Sequence, residues 1–152
     1  MMKFRNATKN DLEHIVAMIA DDELGKKREN YQLPLPKAYI SAFEQIISDK
    51  NQELIVVENE QNEIIGTLQL SFLQYLTYQG GIRAQIEAVR IRKDQRGKGI
   101  GKKMFLWAIE RAKEKGAHLI QLTSDKQRPK AIQFYETLGF KASHEGMKLH
   151  FE

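Results

Sequence analysis

A chain of 152 residues that is 41% hydrophobic and 29% charged, with a formal net charge of +4, suits one domain, residues 1–152, around one core. Having no cysteine, it excludes a disulfide framework, thiolate catalysis and a thiolate metal site. No apolar run approaches the roughly 18 residues of a membrane span, and Met-Met-Lys-Phe-Arg-Asn at the start lacks the apolar centre of a secretory signal. A cytoplasmic protein acting away from membranes is therefore expected.

In chain order, Lys3 to Asn6 reads as a short strand with Met2 and Phe4 on one face. Thr8-Lys-Asn-Asp11 is a capping sequence, after which Leu12, Ile15, Val16 and Ile19 recur at helical spacing and predict a helix to about Glu23. Asp21, Asp22 and Glu23 read as a solvated helix end. Gly25 breaks the helix, and Lys26 to Pro36 reads as a polar loop. Ile40, Phe43 and Ile47 give the stripe of a second helix, Ala38 to Ile47.

Leu54 to Val57 is the clearest strand of the first half. A turn at Asn59 to Asn62 leads to a returning strand, Ile64 to Tyr75, with Gly66 marking a bulge or a close approach. Tyr78 to Gly81 turns the chain into Arg83 to Ile91, which completes an antiparallel meander. A helix from Ile100 to Lys115 follows, with Met104, Leu106, Trp107 and Ile109 as burial candidates and Gly116 just past its end. Leu119 to Leu122 should lie parallel to the strand before it by a right-handed crossover. Pro129 opens a last helix and Gly139 ends it. Lys141 to Ala142 and Met147 to Phe151 predict a terminal hairpin. The expected fold is α/β, a mixed, largely antiparallel sheet with helices on both faces.

Chemistry concentrates between strand and helix, at Val-Arg-Ile-Arg-Lys-Asp-Gln-Arg-Gly-Lys-Gly-Ile-Gly, residues 89–101. Glycines let backbone N–H groups approach a ligand with no Cβ in the way, and the free N–H groups of a helix start attract phosphate. Between Arg90 and Lys103 there are seven basic residues and one acid, Asp94. Interleaved with glycines, they suit a compact anion better than a nucleic acid. A Walker loop fails, since only three residues separate Gly97 from Gly101 and Lys103 follows Lys102; a dinucleotide fingerprint fails because position 102 is Lys.

What remains, Arg96-x-x-Gly99-x-Gly101 after a strand, resembles the acetyl-CoA pyrophosphate loop of the GNAT superfamily of N-acetyltransferases. Ala131-Ile-Gln-Phe-Tyr-Glu-Thr-Leu-Gly-Phe140 resembles that family's closing helix, in its order and at its usual separation. The likeness covers Leu54 to Phe151 well and the first fifty residues in outline. It implies that acetyl-CoA is held at Arg96, Gly97, Lys98, Gly99, Ile100, Gly101 and Lys102, with main-chain groups of Val89 and Ile91 binding the pantetheine arm and polarising the thioester. Many members have Asn where this chain has Arg128, which could instead reach a CoA phosphate or a substrate carboxylate.

Acetyl transfer to an amine needs a proton acceptor, a donor to the departing thiolate, and tight positioning of both reactants. Glu87 interrupts an apolar strand, where an unpaired carboxylate is costly. The resemblance implies that it is the base, acting directly or through water; the alternative is a structural pair with Arg83, Arg90 or another cation. Tyr135 occupies the family's acid position, against the alternative of a packed ring like Phe134. The four histidines, at 14, 118, 144 and 150, have no metal-ligand spacing, so no metal is expected.

The resulting expectation is an N-acetyltransferase moving acetyl from acetyl-CoA to a primary amine of a small molecule, by direct transfer in a ternary complex. A homodimer is the assembly that the resemblance suggests. Two alternatives stay open: acetylation of a protein N-terminus or lysine, and a non-catalytic CoA-binding module. Nucleic-acid binding is disfavoured because no aromatic lies between Tyr78 and Phe105 to stack a base.

Overall fold

Five strands lie side by side in sequence order, β1 to β5. The computed structural model describes residues 1–152. β1 (Lys3–Asn6) leads through a 3-10 turn (Lys9–Asp11) into α1 (Leu12–Ala20), a short α2 (Gly25–Arg28) and α3 (Lys37–Ser48). β2 (Gln52–Glu58), β3 (Ile64–Gln74), a single turn α4 (Thr77–Gly80) and β4 (Ile82–Ile91) form the meander. α5 (Ile100–Glu114) crosses over to β5 (Leu119–Gln121), and α6 (Pro129–Thr137) follows. The first three pairings are antiparallel and β4–β5 is parallel.

Helices cover both faces, which explains why Ile55, Val56 and Val57 form an unbroken apolar run. Val56 packs with Leu12, Ile15, Val16 and Phe43 beneath α1 and α3. Ile55 and Val57 pack on the other side with Leu68, Leu70, Ile86, Met104 and Phe105 beneath α5. Gly66 is a close approach as expected: a Cβ there would stand 3.0 Å from Met104 Sδ and 3.3 Å from the Arg90 carbonyl oxygen.

A buried ionic knot ties the first strand to this frame. Arg5 donates to both Asp11 oxygens at 2.7 and 3.0 Å and also binds Glu58 on β2. The Asp11 carboxylate accepts the Thr8 N–H at 2.7 Å and its hydroxyl at 3.1 Å. Burial alone would raise the Asp11 pKa, but Arg5 and Thr8 hold it below the usual carboxylate range.

Four expectations need correction. α5 buries Ile100, Met104, Phe105, Ala108 and Ala112, while Leu106 is 48% exposed, because the inward stripe follows the 3.6-residue period from Ile100. Gly25 ends no helix; it starts α2, where a Cβ would fall 2.0 Å from the Ile19 carbonyl oxygen. The acids after α1 are not simply solvated, since Asp21 and Asp22 both hold arginines. The terminal hairpin is absent: residues 141–152 form no strand and no backbone–backbone hydrogen bond. The alternation of Met147, Leu149 and Phe151 is a strand's pattern without a paired edge to realise it.

Candidate active site

β4 organises the site through an irregularity. Thr67 pairs with Arg90 and Gln69 with Glu87, so Ala88 and Val89 together oppose Leu68. Ala88 takes the extra place with φ 52°, a left-handed conformation unusual for a residue with a Cβ. The slip reverses which way the following side chains point. Val89 and Ile91 join the α5 side of the core. Arg90 turns toward the end of α1, where its Nε lies 2.9 Å from Asp22 Oδ2, although poorly aligned for a hydrogen bond.

β4 and β5 also part company. β5 pairs with β4 only at Arg83, Ala84 and Gln85, so from Ile86 to Ile91 no strand flanks β4 on that side. The gap is a cleft of about 540 Å³ lined by Val89, Ile91 and Phe105 on one wall and by Arg128, Phe134 and Tyr135 on the other. An unpaired strand edge in a cleft offers its main-chain donors and acceptors to whatever enters.

The glycine loop closes one end of this arrangement. Gly97 and Gly99 have φ of 79° and 76°, and α5 starts at Ile100. The backbone N–H groups from Gly97 to Lys102 meet no backbone acceptor; the first such bond is Lys103 N–H to the Gly99 oxygen at 3.4 Å. Such a run of free N–H groups at a helix start is an anion site. Of the basic residues beside it, Arg92 and Arg96 are paired with carboxylates. Lys93, Lys98, Lys102 and Lys103 are in no ion pair. Gly101 approaches the cleft wall: a Cβ there would lie 3.4 Å from Ile91 Cδ1 and 3.9 Å from Phe134 Cζ.

Tyr135 is half-buried. Its ring packs against Phe105, Phe134 and Phe140, with centroids 5.4, 5.8 and 6.2 Å away. Those rings hold the side chain against the cleft, and its hydroxyl makes no hydrogen bond within the protein. Glu87 is exposed and accepts a hydrogen bond from Gln85 at 3.0 Å. It pairs with neither Arg83 nor Arg90, so the structural alternative is not realised. Two residues from Gln85 and before the slip, it lies on the side of β4 that also carries Arg90, whereas the cleft walls carry Val89 and Tyr135.

The sequence reading missed Asp22, Arg28 and Arg90 as members of the site. Burial pushes the Arg90 pKa down, Asp22 opposes that shift, and Arg28 and Arg128 reinforce it. Arg90 is thus held by Asp22, while Arg28 is paired with Glu29 at 2.9 Å. The signal available beforehand was the clustering of basic residues on β4, but not their convergence with α2 and the start of α6.

Residues 16–140 match the Acetyltransferase (GNAT) family. The chain belongs to that family and is an acetyl-CoA-dependent N-acetyltransferase. The aminoalkylphosphonate N-acetyltransferase of Salmonella typhimurium is 29% identical to it over 143 residues, covering 93% of this chain and 86% of that protein. The crystal structure of a transcriptional regulator from Bacillus halodurans C-125 is 60% identical, with a TM-score of 0.95 over 99% of this chain and all of that one. A predicted acetyltransferase from Clostridium acetobutylicum, solved with acetyl-CoA, is 25% identical, with a TM-score of 0.75 over 99% and 96% of the two chains.

Proposed function

We propose that the chain transfers acetyl directly to the primary amine of a small molecule that also carries an anionic group. The observation that carries this reading is the cleft beside the open edge of β4, with a nest of free N–H groups at one end and the Tyr135 side chain in its wall. The nest and its four unpaired lysines fit the pyrophosphate of acetyl-CoA, which supplies a thioester-activated acyl group when bound. The main chain at Val89 and Ile91 holds the extended arm and polarises the carbonyl. Glu87 takes a proton from the amine, whose nitrogen forms the new C–N bond as the C–S bond breaks. Tyr135 gives its proton to the sulfur that leaves, and a phenol's pKa near 10 suits that task.

The acceptor's anion is inferred from Arg128, which lines the cleft and is in no ion pair, whereas Arg28 and Arg90 are held by Glu29 and Asp22. Arginine forks suit phosphonate, phosphate and carboxylate groups, and the Salmonella relative acts on an amine that bears a phosphonate. The test is a panel of amines with acetyl-CoA, following free thiol. Aminoalkylphosphonates and amino acids should outperform matched amines without the anion, and Arg128→Ala should raise KM for the anionic acceptors alone.

Preference for peptide N-termini or lysines would replace this reading with protein acetylation. Tight CoA binding without thiol release would leave a non-catalytic module. The name of the Bacillus halodurans relative favours a second reading, a DNA-binding regulator. Binding to duplex DNA whose affinity falls steeply with salt would support it.

A further inference from the structure

One guanidinium joins the end of α1 to the open edge of β4. Arg90 Nε lies 2.9 Å from Asp22 Oδ2, and the two side chains are only 13% and 21% exposed. The same guanidinium donates through Nη1 to the Val89 carbonyl oxygen at 3.0 Å. Asp22 is itself anchored, because its Oδ1 accepts the N–H of Gly25, the first residue of α2. A Cβ on residue 25 would stand 2.7 Å from that oxygen, so the anchor is made where only glycine fits.

Val89 belongs to the stretch that faces the cleft. Arg92 donates to the Ile65 oxygen at 2.8 Å, and Arg90 pairs with Thr67. The main chain of Val89 and Ile91 alternates with theirs and therefore turns away from β3. The neighbouring acid repeats the arrangement nearer the surface: Asp21 lies 3.5 Å from Arg96, whose Nε donates to the Ile91 carbonyl oxygen at 3.1 Å. Both carbonyls on the open edge are thus held by arginines, and each arginine by one of two consecutive acids.

The residue before these contacts is Ala88, with φ 52°. That conformation is costly for a residue with a Cβ and persists only where its surroundings over-determine it. From Ile86 onward a strand fixes β4 on one side alone; Arg90, tied to Asp22, fixes it from another direction. We propose that Asp22 and Arg90 are positioning residues for acetyl transfer, a clamp that keeps the slip at Ala88 and so sets how the open edge meets the acyl donor. This rests on the proposed function, in which the main chain at Val89 and Ile91 receives the donor's arm. A merely structural ion pair would stabilise the fold and leave donor affinity alone.

Asp22→Asn keeps an oxygen for the Gly25 N–H and removes the charge that holds Arg90, while Arg90→Lys keeps the charge and loses the fork. Each should weaken acetyl-CoA binding in calorimetry by roughly five- to thirtyfold, the population cost of one left-handed residue with a Cβ, with circular dichroism unchanged. In the ligand-free protein the Arg92 amide should exchange with deuterium faster by a similar factor. Adding Ala88→Gly, which makes the left-handed conformation cheap, should recover most of both losses. Wild-type affinity in either variant, or losses that Ala88→Gly does not lessen, would overturn the inference. So would faster exchange at unchanged affinity, which would leave the pair a stabilising one. A wild type that binds no acetyl-CoA would overturn the proposed function and the positioning role with it, and titration of the unmutated chain shows this before any variant is made.

Discussion

Replacing Tyr135 by Phe keeps the ring and removes one oxygen, which separates proton donation from packing. The ring's three aromatic neighbours, at 5.4 to 6.2 Å, would be undisturbed. A buried hydroxyl that satisfied a local acceptor would cost about 1 kcal/mol to remove. This one has no partner in the protein, so the expected loss of stability is a few tenths of a kcal/mol at most, less than about 2 °C in Tm for a chain of this size. If the hydroxyl protonates the departing thiolate, turnover should fall tenfold or more, about 1.4 kcal/mol in the barrier. The assay is thiol release at saturating amine with two donors, acetyl-CoA and an acetyl thioester whose thiol is more acidic. The deficit should shrink with the second donor, because a better leaving group needs less help. An equal deficit with both donors would refute proton donation and leave Tyr135 a positioning residue.

Glu87→Gln should cut turnover by roughly 10²- to 10⁴-fold at neutral pH with acetyl-CoA affinity unchanged, and the deficit should narrow as rising pH deprotonates the amine unaided; pH–rate profiles of both proteins check this. Gly101→Val should abolish acetyl-CoA binding by calorimetry with Tm nearly kept, whereas Gly99→Val should lose binding and about 1–2 kcal/mol of stability, since its φ of 76° is costly for a side chain with a Cβ. Asp11→Ala should destabilise by roughly 2–4 kcal/mol in urea, the range for breaking a buried pair, reduced because Arg5 keeps Glu58. Because the folded Asp11 pKa is depressed, its contribution should be complete above an unfolded value near 4 and be lost as pH falls through the folded one, and Asp11→Asn should flatten that acid limb.

The strands of the meander were legible because burial on both faces leaves unmistakable apolar runs such as Ile55–Val57. The turn into α5 was legible because the positive φ of Gly97 and Gly99 is a backbone conformation that glycine supplies cheaply, and the glycines at 97, 99 and 101 declare it locally. Other parts of the site depend on relations that one residue cannot announce. Ala88 adopts a left-handed conformation without being glycine or asparagine, so the slip that turns Arg90 toward α1 had no sequence mark. The Asp22–Arg90 pair joins residues far apart in the chain, and acids at a helix end look solvated until their partner is known. Leu106 was misplaced because hydrophobicity outranked phase, although phase from Ile100 decides which residues of α5 face the sheet. The terminal segment shows the limit of pattern reading, since alternation states a capacity to pair and says nothing about with what.

The parting of β4 from β5 has a thermodynamic side. From Ile86 onward β4 lacks the lateral support that holds the rest of the sheet, so its amides there should exchange with deuterium sooner than those of β2 or β3. A molecule that bonds to this edge and to α6 bridges the two halves. It stabilises the folded chain by mass action, about 2.7 kcal/mol at a hundred times its Kd. The resilience of the protein to heat then rises with the concentration of any ligand that makes this bridge.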